Sequence, residues 1–175
     1  KYTFVFSKHS IGKVKRLFGN FLVVVKALTY VELLGAEGLK DASGNAVLNA
    51  NYLMRKLEPE FHCAYDHTCM HEFVLDLSKL KEEKDISALD VAKGLIDYGV
   101  HPPTMYFPMI VHEALMIEPS ETEVKETHDN FIKDLKEIIK KDAGELHTAP
   151  NTTKYSRLDE VMAARHPVLA YEFKA

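Results

Sequence analysis

The sequence predicts an α/β chain in which an α+β domain, with a small, mostly antiparallel sheet and helices on one face, follows long helices. Three observations predict it. Residues 14–34 are apolar on almost every side of a helix, and residues 36–57 are apolar at three- and four-residue spacing. Residues 73–141 alternate short β-forming runs with helical patterns. This order places the helices first and a compact sheet domain after them.

The composition is typical of a globular domain with one core and excludes two classes of protein. The chain has 175 residues, of which 46% are hydrophobic and 27% charged. The formal charge is −4 with scattered Lys and Arg, so no basic surface for nucleic acid is expected. The longest apolar stretch, 18–35, contains Asn20, Lys26 and Glu32 and is too polar to span a membrane. Two cysteines make no disulfide framework and favour a reducing compartment, the cytoplasm.

The N-terminal part is predicted to be extended and then helical. Lys1 is not a start methionine, and residues 2–6 are typical of a strand or extended segment, which predicts a truncated product. Helix 14–34 has so little polar surface that it should be buried between layers. Gly35 is its predicted C-cap, and helix 36–57 should end before Pro59. The apolar residues 21–25 need a covering surface, so the isolated chain is expected to self-associate.

The sheet domain is predicted from three β-forming runs and from the capping residues and prolines between them. Ser87 is a predicted N-cap for a helix that closes at Gly99. Two consecutive prolines, 102–103, exclude helix and favour an edge strand after them. The predicted strands are 73–77, 104–107 and 114–117.

The C-terminal part is predicted to be one amphipathic helix and a tail. Ser120 and Glu123 have the spacing of a capping box, opening a helix with His128 and Phe131 on its inner face that runs to about residue 141. The remainder, 142–175, is expected to wrap the surface, with a short helical stretch at 158–165.

The densest group of potential metal-ligand side chains lies just before the first predicted strand, 73–77. It comprises His62, Cys63, His67, Cys69 and His71. Thiolates and imidazoles suit zinc, and a closed structural site needs four of them. The two cysteines are separated by five residues, which matches no usual zinc module, so a plain loop is favoured over a metal site.

Two other polar groups have both a functional and a structural interpretation. His101 and Thr104 flank the two prolines at the end of a strand, where ligand contacts are common, although a turn residue most often serves the turn itself. Glu118, Glu121 and Glu123 are compatible with acid catalysis or a cation site, but capping and the helix dipole explain them more simply. No nucleophile with its own base is present.

Several segments in fixed order resemble the family of glycine dehydrogenase (decarboxylating) subunit 2. Their order and spacing over roughly residues 10–140 make coincidence improbable. The tail, at Tyr155–Glu160 and Ala163–Pro167, is similar to that family's C-terminal end. The matching segments are Ser10–Val14 with Phe18–Phe21, Ala46–Leu53, His71–Val74, Asp90–Gly99, His101–Pro108 and Glu113–Glu123. Ser120 stands where the family usually has threonine, and the loop 62–69 matches no family segment.

The resemblance implies a fold-type I enzyme that uses pyridoxal 5′-phosphate (PLP), decarboxylates glycine and passes the aminomethyl group to the lipoyl arm of the H-protein. It implies glycine dehydrogenase subunit 1 as a partner. Residues 1–35 would be the end of a large domain and a connecting helix, 36–141 the small domain and 142–175 a C-terminal tail. The Schiff-base lysine would lie upstream of this chain, so the chain alone should be inactive and bind no PLP.

The resemblance assigns no catalytic residue here, and it places Gly19, Asn20, His101 and Thr104 in the wall of the cofactor or substrate cleft. The alternative hypothesis is a stand-alone binding or regulatory module of the same fold, which could hold zinc through the His62–His71 loop. The apolar surface at 21–25 favours the enzyme fragment, because that surface needs a partner.

Overall fold

The computed structural model describes residues 2, 3, 5, 7–12 and 19–170. It divides into two compact units, residues 1–41 and 42–175. The described part of the chain contains six helices and four strands, in the order α1 (Phe21–Leu57), β1 (His62–Cys63), β2 (Phe73–Asp76), α2 (Ser78–Lys84), α3 (Ala88–Asp97), β3 (Thr104–Met105), β4 (Ala114–Ile117), α4 (Lys125–Ile138), α5 (Ala143–Thr148) and α6 (Glu160–Arg165).

The first unit contains the N-terminal part of α1. At Gly35 the backbone is non-helical, with φ 61° and ψ −172°, so two helical segments meet there, as the predicted C-cap requires. The described helix begins at Phe21, and residues 19 and 20 before it are not helical, so the predicted helix 14–34 begins later than expected. Residues 14–18 lie outside the described residues, as do residues 4 and 6 of the predicted extended segment 2–6. No helix among the described residues is long and apolar enough to cross a membrane.

Apolar side chains of α1 in this unit are exposed, including Phe21 at 71% and Leu22 at 72%. We therefore expect the purified 175-residue chain to elute from size-exclusion chromatography ahead of a monomer, because burying this surface releases it from water. Replacing Val24 and Leu28 with glutamate should shift elution toward the monomer. Lys26→Glu is the control, since it changes charge on the same helix without removing apolar surface. A wild-type chain that elutes only as a monomer would contradict the expectation.

The second unit is built on an antiparallel sheet with strand order β1-β2-β4-β3. Phe73 pairs with Ile117, and Leu75 pairs with Leu115. Alternate residues of a strand share a face, so these four side chains form one face of the sheet. They belong to the same buried cluster as side chains of α1, α3 and α4, which confirms the predicted fold class.

The helix predicted after Ser87 is confirmed, and its N-terminus is capped by two reciprocal hydrogen bonds. The Ser87 hydroxyl accepts from the Asp90 N–H at 3.2 Å, and the Asp90 carboxylate accepts from the Ser87 N–H at 2.8 Å. This reciprocal pair is a capping box. Gly99, with φ 75°, closes the segment as predicted.

The capping box predicted at Ser120 and Glu123 is wrong. Helix α4 begins later, at Lys125, and its N-cap Val124 makes no side-chain hydrogen bond. The Ser120 hydroxyl is instead engaged locally with the Thr122 hydroxyl at 2.7 Å. Serine and threonine hydroxyls compete in this way with helix initiation, and here the local turn is preferred.

Three further details differ from the sequence prediction. The edge strand is confirmed but ends at Met105, because Tyr106 has a left-handed backbone with φ 57°. The short elements β1, α2 and α5 lacked a clear periodic signal. The tail, predicted to wrap the surface, also contributes to the core, because Leu146 of α5 is 1% exposed and belongs to the main core. The short predicted helix near 158–165 is present as α6.

Candidate functional site

A cleft of about 810 Å³ in the second unit opens beside the sheet edge. The turn 98–104, the end of β4 with residues 118–120 and one side of α4 form its walls. The two prolines 102–103 also line it and lack backbone N–H donors. The cleft therefore lies where a strand edge, a proline turn and a helix meet.

Two of the four predicted site residues line this cleft. His101 precedes the prolines, and Thr104 lies in β3, opposite Met116 of β4. The strand pairing fixes the backbone of Thr104, so its position does not depend on a mobile loop. The other two, Gly19 and Asn20, belong to the first unit, directly before α1. Gly19 has φ 74°, and the Asn20 carbonyl accepts from the Val24 N–H at 3.1 Å.

A second histidine lines the cleft and was not predicted as a site residue. His128 of α4 is 4% exposed, and its Nε2 has no hydrogen-bond partner among the described residues. Burial lowers the pKa of His128, although the Glu123 and Asp129 charges oppose that effect. Burial therefore favours the neutral form of the imidazole, and its Nε2 points into the structure without a partner among the described residues. Helical periodicity predicted only that it lies on the inner face.

The charge of the cleft is negative. Glu118, Glu123 and Asp134 line it, and none of its described lining residues is Lys or Arg. Burial and the neighbouring Glu137 raise the pKa of Asp134. His71 Nε2 lies 3.8 Å from Glu118 Oε1 at the surface. Such a lining repels anions and suits neutral or cationic groups.

The potential metal ligands of the His62–His71 loop are not brought together within the described part of the chain. Among the described residues, no three His, Cys, Asp or Glu side chains are grouped closely enough to hold a metal ion. Cys63 and Cys69 are free thiols, and burial raises the pKa of Cys63 to about 11, which keeps it protonated and a poor ligand. Asn51 of α1 fixes the loop instead, because its side chain donates to the Cys69 carbonyl at 2.8 Å and accepts from the Cys69 N–H at 3.1 Å.

Comparison with known proteins is consistent with this fold. Residues 42–163 match the family model described as "Glycine dehydrogenase, C-terminal domain". The chain is 57% identical over 167 residues to a protein of Treponema denticola named "Probable glycine dehydrogenase (decarboxylating) subunit 2". Proteins of the same name from Desulforamulus reducens and Thermosipho melanesiensis are 53% and 48% identical.

The match covers most of this chain but a minor part of each relative. It includes 93% of this chain and 34% of the Treponema and Desulforamulus proteins, and 99% and 37% for the Thermosipho protein. The chain thus spans about a third of the length of these relatives. It is an α+β domain of the class found at the C-terminus of glycine dehydrogenases. Specifically, the chain belongs to the family of glycine dehydrogenase (decarboxylating) subunit 2, as a C-terminal fragment.

Proposed function

We propose that this chain is the C-terminal part of a two-subunit, PLP-dependent glycine decarboxylase. The whole enzyme decarboxylates glycine and transfers the aminomethyl group to the lipoyl arm of the H-protein, with subunit 1 as its partner in the cytoplasm. Identity of 48–57% to proteins named as subunit 2 over nearly the whole chain supports this proposal. The two free, protonated thiols are compatible with the reducing environment of that compartment.

The observation that carries the proposal is the convergence of His101 and Thr104 on one cleft. In this interpretation, residues 36–141 are the small domain, 1–35 the end of the large domain with its connecting helix, and 142–175 the tail. His101 and Thr104 form one wall of a cleft that the remaining parts of the enzyme complete. Gly19 and Asn20 of the first unit are proposed as cleft residues from the family resemblance alone. Enzyme sites commonly lie between domains and subunits, so an incomplete wall is the expected contribution of one domain.

The cleft residues of this chain do not by themselves fit PLP. The phosphate of that cofactor needs cationic side chains or free backbone N–H groups, and the described lining offers three carboxylates with no Lys or Arg. In this proposal the Schiff-base lysine belongs to the upstream part, as the family resemblance implies. What this wall can supply is hydrogen bonding through the Thr104 hydroxyl and the His101 imidazole.

The proposal is tested in full-length subunit 2 assembled with subunit 1. His101→Ala and Thr104→Ala should each lower glycine decarboxylation about tenfold or more, because a misplaced substrate loses its reactive alignment. Their affinity for PLP should stay within about twofold of the wild type. Decarboxylation is followed as release of labelled carbon dioxide, and PLP binding by its visible absorbance.

The control variant is His62→Ala, an exposed histidine on β1 outside the lining of the cleft, which should keep full activity. A companion titration of the 175-residue chain with PLP should give no glycine-sensitive absorbance band. Full activity in both cleft variants contradicts the wall assignment. A wild-type assembly that does not decarboxylate glycine contradicts the proposed function.

A further inference from the structure

The C-terminal tail is hydrogen-bonded directly to the last residue of α3. One carboxylate oxygen of Asp97, Oδ1, accepts from the N–H groups of Asn151 and Thr152, both at 2.7 Å. The Thr152 hydroxyl donates to the same oxygen at 2.8 Å. We call these three residues the tail clasp. It joins positions that are 54 and 55 residues apart in the chain, so it is a tertiary contact rather than a feature of either segment alone.

The carboxylate of Asp97 is ionised at neutral pH. Burial alone would raise the pKa of Asp97, but the hydrogen bonds from Thr152 and Asn151 and the charge of Lys141 outweigh burial and hold the pKa below its usual value. Hydrogen bonds to an ionised acceptor are shorter and about twice as strong as those between neutral groups. The tail clasp therefore fixes the tail to α3 more firmly than a contact between neutral groups would.

Asp97 is also connected to the cleft wall through the backbone. The next residue in the chain begins the turn 98–104, whose residues line the cleft. The Val100 N–H donates to the carbonyl of Leu95, in the same helical turn as Asp97, at 3.1 Å. Since His101 follows Val100 directly, a shift of this helical turn would displace His101 as well.

Two other contacts of the tail with α3 lie farther from the cleft wall along the chain. Leu146 packs on Gly94, because a Cβ at that glycine would lie 3.2 Å from Leu146 Cδ2. Arg157 Nη2 donates to Asp90, in the first turn of the helix. Of these three attachments, the tail clasp is therefore the one that acts nearest to the turn 98–104.

We infer, on the basis of the proposed function, that Asp97 is a positioning residue for glycine decarboxylation, acting through the tail clasp on His101 and Thr104. Asp97 is not among the described residues that line the cleft, so it acts on the wall and not on the substrate. It holds the end of α3 in the position from which the turn presents the His101 imidazole and the Thr104 hydroxyl. A displacement of about 1 Å in such a wall can lower a rate about 100-fold.

The test measures initial rates of glycine decarboxylation by full-length subunit 2 assembled with subunit 1. Asp97→Ala should lower kcat about fivefold, because all three hydrogen bonds of the tail clasp are lost and the wall is misplaced. The KM for glycine should change less than about twofold, since alignment is lost rather than binding. Circular dichroism verifies the fold of each variant.

Thr152 gives a milder variant with a matched control. Thr152→Val removes only the hydroxyl and should lower kcat about twofold, whereas Thr152→Ser keeps the hydroxyl and should recover most of that loss. The control is Thr148→Val. Thr148 is also exposed in the tail, and its hydroxyl donates to the Glu145 carbonyl at 2.8 Å, within the tail itself. Its removal should leave kcat unchanged.

A double-mutant cycle separates positioning from a general loss of stability. In an enzyme that already carries His101→Ala and Thr104→Ala, adding Asp97→Ala should lower kcat less than about 1.5-fold further, because the groups that Asp97 positions are absent. Effects on stability alone would be independent of the wall, so the losses would multiply. Multiplied losses would therefore overturn the inference.

Two further results would also overturn it. One is a wild-type kcat in Asp97→Ala when His101→Ala and Thr104→Ala are impaired. The other is an equal loss of kcat in Thr152→Val and Thr148→Val. If the wild-type assembly does not decarboxylate glycine at all, the proposed function fails before any variant is compared, which distinguishes that failure from these results.

Discussion

Replacing Asp90 with alanine should lower the free energy of unfolding by about 3–5 kcal/mol, the usual cost of removing one partner of a buried ion pair. Asp90 is 3% exposed, and its carboxylate accepts three hydrogen bonds. It accepts from the Ser87 N–H at 2.8 Å and the Ser87 hydroxyl at 2.5 Å. Arg157 Nη2 donates to its other oxygen at 2.5 Å. The substitution removes the helix cap and leaves the half-buried guanidinium without its counter-charge.

The same network gives a pH dependence of known sign. Burial alone would raise the pKa of Asp90, but the hydrogen bonds from Ser87 and the interaction with Arg157 outweigh it and hold the pKa below its usual value. A carboxyl with a depressed folded-state pKa contributes its stability above the unfolded pKa and loses it as the pH falls through the folded one. The difference between wild type and Asp90→Ala should therefore be full at neutral pH and shrink below about pH 4.

Urea unfolding followed by circular dichroism, at neutral pH and below about pH 4, measures the change in the free energy of unfolding. Asp159→Ala is the matched control: this exposed carboxylate caps α6 by accepting from the Met162 N–H at 2.7 Å, without an Arg partner. Its loss should cost about 1 kcal/mol, the value of a simple N-cap. Equal effects of the two substitutions would refute a special role for the Asp90–Arg157 pair.

Replacing Gly94 with valine should destabilise the chain by about 3 kcal/mol, because α3 packs too closely on its neighbours for a branched side chain. A Cβ at Gly94 would lie 3.2 Å from Ile138 Cγ2 and 3.2 Å from Leu146 Cδ2. Both side chains are fully buried, so neither can move away without displacing the core. Overpacking a well-filled core costs about 1–3 kcal/mol, and β-branching adds to that cost in a helix.

The melting temperature measured by circular dichroism reports this effect. Gly44→Val is the matched control, since a Cβ there meets nothing within 4 Å on the exposed side of α1. Valine has a better helix propensity than glycine, so that variant should be as stable as the wild type or slightly more so. A Gly94→Val chain as stable as Gly44→Val would show that the contact of α3 with α4 and α5 adapts freely.

Local signals in the sequence predicted the elements whose causes are local. Ser87 caps α3 because its partner Asp90 is three residues away, and Gly35 and Gly99 end segments through their own backbone freedom. The prediction failed at Ser120 for a related reason. Its hydroxyl has a nearer partner in Thr122, and the sequence pattern does not show which of the two it prefers.

Contacts between distant residues could not be predicted in this way. Arg157 meets Asp90 across 67 positions, and Leu146 reaches the core through a six-residue helix too short for periodicity to reveal. The cleft was predicted only in part. The resemblance identified His101 and Thr104, whereas recognising His128 as a lining residue required the packing of α4 against the turn 98–104.

Helix α3 connects three parts of the second unit that are far apart in the sequence. At its N-terminus, the Ala88 N–H donates to the carboxylate of Glu113, which lies in the loop between β3 and β4. In its last turn, the Asp97 carboxylate accepts from the N–H groups of Asn151 and Thr152, both at 2.7 Å. The segment after Gly99 then forms the cleft wall. A C-terminal truncation before Asn151 removes both contacts, so it should loosen the end of α3 that leads into the cleft wall.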